Sequence, residues 1–259
     1  MYTSTLPLIS TIVLASLTEA HSILDRQCWH EYPLSRAHIF SSPQRPQEHS
    51  VPIQSPFYPR QDDHAPWTHP PTCTPTLSTI NDILCIYVST SFSNGRGIAI
   101  FTTPSIAAQF AALPAFTSPT ALTSQNINVP TNTWRATSIP EKGIGMLATQ
   151  PLSFGHTITS YTPAFLAFLE SELSTLDREK WWRRATNLLP KKTRDEFLSL
   201  AYVYGDERVR VQDIVKANTF QVEVGGGNHL AVWPETSRLN HACAPKYVFS
   251  SLLTIWKEC

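Results

Sequence analysis

Charge is what this 259-residue chain has least of: 15% of its residues are Asp, Glu, Lys or Arg, against the usual share of about a quarter. The formal net charge is zero, so no global field draws the chain onto nucleic acid or an anionic membrane surface. Direct nucleic-acid binding is therefore not expected. No apolar stretch reaches the roughly 18–20 residues that a bilayer span requires, which excludes a polytopic membrane protein. The five cysteines (Cys28, Cys73, Cys85, Cys243 and Cys259) include no C-x-x-C pair, and no histidine completes a zinc pattern, so no metal site is expected. In a secreted chain Cys28, Cys73 and Cys85 are available for one disulfide, whose pairing stays open. An odd total leaves at least one thiol unpaired.

Hydrophobic residues, at 42%, are enough for a packed core. The rest of the composition is uneven. Residues 1–140 hold 16 of the 21 prolines but only 13 of the 40 charges. Leu6 to Leu17 is the length of a signal-peptide apolar region, and Thr18-Glu19-Ala20 supplies small residues for a cut after Ala20, although no Lys or Arg precedes them. A leader over 1–20 implies the secretory pathway or an extracellular location. Without one, the nucleus or cytoplasm is expected. Residues 21–80 are Pro-, His-, Gln- and Ser-rich, as in Ser42-Pro43-Gln44-Arg45-Pro46, and are expected to be largely disordered, with their histidines scattered rather than metal-binding.

From Asn81 the pattern becomes that of a folded chain. Ile83–Ser89 and Ile98–Phe101 read as strands joined by the Asn94-Gly95-Arg96-Gly97 turn, and Pro104–Phe116 reads as a helix. A polar connector to Thr133 closes a small N-terminal region, 81–133. Residues 142–149 echo 96–103 as a weak repeat. Helical periodicity is expected from Ala164 to Asn218. Phe165, Leu166, Phe168, Leu169 and Leu173 line one face, Asp177 caps the Trp181-Trp182 helix, and a Thr193–Glu196 capping box starts the next. The two tryptophans read as core, with arginines and acidic residues on a solvated face. Thr219–Val224 and His229–Trp233 form a hairpin about Gly225-Gly226-Gly227-Asn228, and Thr236–Cys243 reads as a short helical turn leading into Pro245. The whole reads as an α+β fold.

Two segments stand out for chemistry. In Lys142-Gly143-Ile144-Gly145 the two glycines let a ligand approach the backbone unobstructed by Cβ, but the third glycine of a dinucleotide fingerprint is absent. In Arg238-Leu239-Asn240-His241-Ala242-Cys243-Ala244-Pro245 an amide and an imidazole stand side by side, suited to the edge of a heterocycle.

Together these segments resemble the SET-domain protein lysine methyltransferases, closest to the SET and MYND-type group and related fungal SET proteins. Gly143-Ile144-Gly145, Ala148-Thr149, Leu152, Gly155 and Ile158 match the family's opening motif, and Asn240-His241-Ala242-Cys243-Ala244-Pro245 resembles its N-H-S-C-x-P-N, with Ala242 in place of Ser. Ala217-Asn218-Thr219-Phe220 looks like its N-x-F, and the helical block resembles the insertion this group carries. The likeness covers about 140–245. It implies a SET-like fold over 134–245, S-adenosyl-L-methionine as cofactor, and methyl transfer to a protein lysine. Lys142, Gly143, Ile144 and Gly145 would contact the cofactor through their backbone, and Asn240, His241 and, more weakly, Asn218 through side chains.

The agreement stops at Pro245. Lys246 stands where the family has Asn, and residues 246–259 contain no G-E-E-x-T followed by the tyrosine that closes the lysine channel. No catalytic residue is therefore assigned, and this form is expected to be inactive or nearly so. Lys246-Tyr247-Val248 is codable with an intron-donor sequence inside it. A retained intron is one reading of the tail and a true truncated pseudoenzyme the other. The alternative to an enzyme is a non-catalytic, secreted SET-like binding module.

Overall fold

The computed structural model describes residues 64–118, 120–140 and 143–239. Its centre is a six-stranded mixed sheet in the order β1-β2-β3-β6-β8-β7, made by β1 (Thr72–Cys73), β2 (Cys85–Ser89), β3 (Ile98–Thr102), β6 (Phe165–Phe168), β7 (Thr219–Val224) and β8 (Gly227–Val232). Only the β3–β6 pair is parallel. A separate two-stranded ribbon joins β4 (Trp134–Ile139) to β5 (Gly143–Ala148), with Gly145 opposite Thr137. The α+β class is as expected.

The central strands read as unbroken apolar runs because both faces of the sheet are covered. On one face Ile86, Val88, Phe101, Phe165, Leu230 and Val232 pack under α2 (Thr175–Asn187), α3 (Lys191–Leu198) and α4 (Arg210–Asn218) through Trp182, Ala185, Phe197, Val211 and Ile214. On the other, Tyr87, Ile98, Ile100, Leu166 and Ala231 pack under α1 (Pro104–Ala111) and the segment after it, through Ile106, Phe110, Leu122 and Ile127. Trp182 meets Phe165 edge-on at 5.8 Å and Trp181 stacks on Phe101 at 6.1 Å, so both tryptophans serve the core as expected.

Several expectations are corrected. Phe165–Phe168 is a strand, not the start of a helix. The four apolar residues Phe165–Phe168 satisfy either period, and two-sided burial in the sheet decides for β. Ser174, not Asp177, caps α2: its hydroxyl accepts from Asp177 N–H at 3.1 Å and donates to the Asp177 carboxylate at 2.6 Å. Thr193 caps nothing, because α3 begins at Lys191 and the Thr193 hydroxyl donates to the Arg96 carbonyl. The helix from Pro104 stops at Ala111, and Pro114 opens a separate single turn.

The folded chain also reaches back before Asn81. Thr72–Cys73 pairs with Cys85–Ile86, Trp67 packs on Tyr87 at 5.2 Å, and the disulfide is Cys73–Cys85. The division at 133/134 does not separate two folds, because β3 and β6 lie side by side in one sheet. Residues 1–63 and 240–259, with their expected leader, linker and tail, lie outside the described residues. Among the described residues no helix is long and apolar enough to cross a membrane.

Candidate functional site

The Gly-x-Gly segment lies at the start of β5, at the end of the ribbon where β4 runs into β5. Gly143 has φ +72°, a backbone shape that L side chains rarely take, and a Cβ there would meet no atom within 4 Å. The backbone at this point is therefore open to an approaching group. Ile144 is 47% exposed and Leu147 41%, whereas Gly145 is buried. Lys142 lies outside the described residues.

β5 lies against the short 3₁₀ turn Thr236–Arg238. That turn leads in sequence into Asn240-His241, which themselves fall outside the described residues. The turn is tied down on three sides. The Arg238 guanidinium donates to the Ser199 carbonyl at 3.2 Å and to the Ser199 hydroxyl at 2.6 Å. The Ser237 hydroxyl donates to the Asn218 carbonyl at 3.3 Å, and Glu235, just before the turn, is paired with Arg96.

Asn218, the weaker of the side-chain candidates, is held within the fold. Its amide nitrogen donates to the carbonyls of Ala201 and Ile214, both at 2.7 Å. Both N–H groups of the amide are thereby taken by the fold, and its backbone carbonyl helps hold the turn. Asn218 is a buried supporting residue of the site.

Sequence reasoning missed the charged cluster beside the turn. Arg96 donates through Nε to Glu235 Oε1 at 3.1 Å and through Nη2 to Oε2 at 2.8 Å, a paired fork-to-carboxylate contact. Burial pushes the Glu196 carboxyl above the usual carboxylate range, and the Glu235 charge adds to the shift. Burial likewise raises Tyr161 and, at the other sign, lowers Arg238. One signal was available: Arg96 is a lone cation between two glycines in the charge-poor half of the chain.

His229 was also passed over. Its Nδ1 lies 3.0 Å from the Gly227 carbonyl, which can only accept, so Nδ1 carries the proton and Nε2 accepts from the Thr102 hydroxyl at 2.9 Å. Burial lowers its pKa to about 4, so the ring is neutral at pH 7. Phe110 and Phe168 close over it edge-on, which makes it a satisfied core histidine.

Two other concavities do not compete. An apolar cavity between Phe110, Leu122, Ile127, Leu166 and Val222 has about 30 Å³ of room, about one water's share. An open groove of about 510 Å³ on α2 is lined by Lys180, Arg183, Arg184 and Arg208, but Arg183 is paired with Glu179 and Arg208 with Asp206. Among the described residues no three His, Cys, Asp or Glu side chains are grouped to hold a metal. The chain matches no protein-family model, no curated protein and no solved structure, so the functional reading stands on the residues and their geometry.

Proposed function

We propose that this is a SET-like α+β protein that binds S-adenosyl-L-methionine along β5, as the protein lysine methyltransferases it resembles do. The single observation that supports this reading most is the contact between β5 and the Thr236–Arg238 turn. β5, which carries Gly143-Ile144-Gly145, lies against the turn that runs into Asn240-His241, although the motifs are far apart in sequence.

The residues present fit such a ligand. The backbone beside Gly143 is open, which suits main-chain bonds to a polar cofactor edge. In this reading Lys142, Gly143, Ile144 and Gly145 offer backbone groups, and Asn240 and His241 offer side chains to the amino-acid and adenine parts. The cofactor would supply an electrophilic methyl on its sulfonium. The protein's own contribution is to hold the ligand, exclude water from one side and align it with a neutral amine of a protein lysine. Cofactor binding is the property assigned to these 259 residues. A second reading, a secreted binding module without transfer, is favoured by the Cys73–Cys85 disulfide, which suits an oxidising compartment.

Calorimetric titration of S-adenosyl-L-methionine into the whole chain tests the proposal. Saturable binding is expected, lost in Gly145→Trp, which puts a bulky side chain into the middle of the Gly-x-Gly segment, and weakened about tenfold or more in Asn240→Ala. Equal affinity in all three proteins, at unchanged melting temperature, would make the two motifs mere turn residues.

A further inference from the structure

We infer that Arg96 is a positioning residue for the β5 site: through its two bonds to Glu235 it holds the Thr236–Arg238 turn against β5. This rests on the cofactor reading above, yet Arg96 comes from the β2–β3 turn, outside the 140–245 likeness.

Arg96 is built in as a fixed post. Its side chain is 10% exposed and that of Glu235 15%. Besides the carboxylate, its Nη1 donates to the Thr162 hydroxyl at 3.3 Å and the Pro163 carbonyl at 3.4 Å, and the guanidinium lies over the Tyr161 ring at 5.9 Å. Thr162 is itself fixed by Asn128, whose Oδ1 accepts from Thr162 N–H at 2.8 Å. The Arg96 backbone is held as well, by the Thr193 hydroxyl on its carbonyl and by Gly97, which packs against the Pro190 ring.

The turn needs such a post. Glu235 is electrostatically coupled to a second carboxylate, Glu196, which also feels the charges of Lys192, Arg96 and Arg238. Arg238 is already bonded to Ser199. Without Arg96 the two carboxylates repel across a partly dry space, and Glu235 swings away and takes the start of the turn with it. A lysine at this position keeps the charge but loses the fork that sets the angle.

The test combines two readouts on the whole chain. Hydrogen exchange follows the amides of Ser237, Arg238 and Leu239, which bond back to Trp233, Glu235 and Thr236. Calorimetry follows S-adenosyl-L-methionine. In Arg96→Ala the turn amides are expected to exchange faster while β6 and β8 keep their protection, and the Kd rises about tenfold or more. Arg96→Lys is expected to fall between, and the swap R96E/E235R to restore most of the affinity that R96E loses. A stabilising role alone would lower the melting temperature and leave Kd unchanged in every folded variant. Unchanged turn exchange, or unchanged Kd in both Arg96→Ala and Arg96→Lys, overturns the inference. Faster turn exchange in Arg96→Ala with no binding by the unaltered chain keeps the post and overturns the cofactor reading instead.

Discussion

At the scale of single residues, the side chains that matter most are polar groups whose partners only the fold supplies. His229 titrates near 6.5 in the unfolded chain and near 4 in the fold. Between these values the unfolded state binds the extra proton. Stability is therefore complete above about pH 6.5 and falls as pH drops toward 4, by up to about 3 kcal/mol. Urea titrations at pH 7, 5.5 and 4.5 should show this loss, and His229→Gln should flatten it. Nothing in the sequence marked His229 from the other eight histidines, because Thr102, the distant one of its two partners, meets it only when β3 and β8 share a sheet. Arg96 was hidden for the same reason. Its carboxylate partner lies 139 residues away.

Glycine gives the opposite lesson. Gly97 was legible as a turn residue, and its φ of +78° agrees. The reason no other residue fits is tertiary: a Cβ would sit 2.4 Å from Pro190 Cδ. Gly97→Ala should cost roughly 2–4 kcal/mol by overpacking and backbone strain, measured by denaturant unfolding.

At the scale of elements, the hairpins were the most readable parts. β2–β3 and β7–β8 carry alternating or wholly apolar strands around glycine turns, and Gly225 and Gly226 both have the positive φ that a two-residue turn requires. β6 was misread because its four residues fit either period, and only the sheet around it resolves the choice. The helices were placed well and their caps badly, since serines, threonines and aspartates near a helix start compete for the same role. α2 and α4 are joined by one carboxylate. Glu179 accepts from Arg183 at 2.6 Å and from the N–H groups of Val211 and Gln212 at 3.1 and 2.9 Å, at the start of α4. Glu179→Gln keeps the shape and removes the charge that the helix N-terminus favours, so a loss of about 1–2 kcal/mol is expected in thermal unfolding.

Across the whole molecule, the α+β class followed from the order of strand and helix signals. That 81–133 and 134–245 share a sheet did not, because a parallel β3–β6 pairing leaves no local trace in either strand. The disulfide belongs to this scale as well. Cys73 and Cys85 join β1 to β2 and draw a proline-rich stretch, which composition alone assigns to linker, onto the sheet edge. Cys73→Ser should lower stability by about 2–4 kcal/mol, and dithiothreitol should do the same to the unaltered chain but nothing further to the variant. The site was legible as two motifs. Their supports, Arg96, Glu235, Ser199 and the backbone of Asn218, became visible only once the elements were packed.

The central claim is that S-adenosyl-L-methionine lies along β5 beside the Thr236–Arg238 turn. Photolabelling the whole chain with the methyl-radiolabelled cofactor, followed by tryptic mapping, tests it directly. Label is predicted on the peptides 143–178 and 239–246, and excess unlabelled cofactor should compete it away. Label confined to other peptides, or none that competes, would contradict the account.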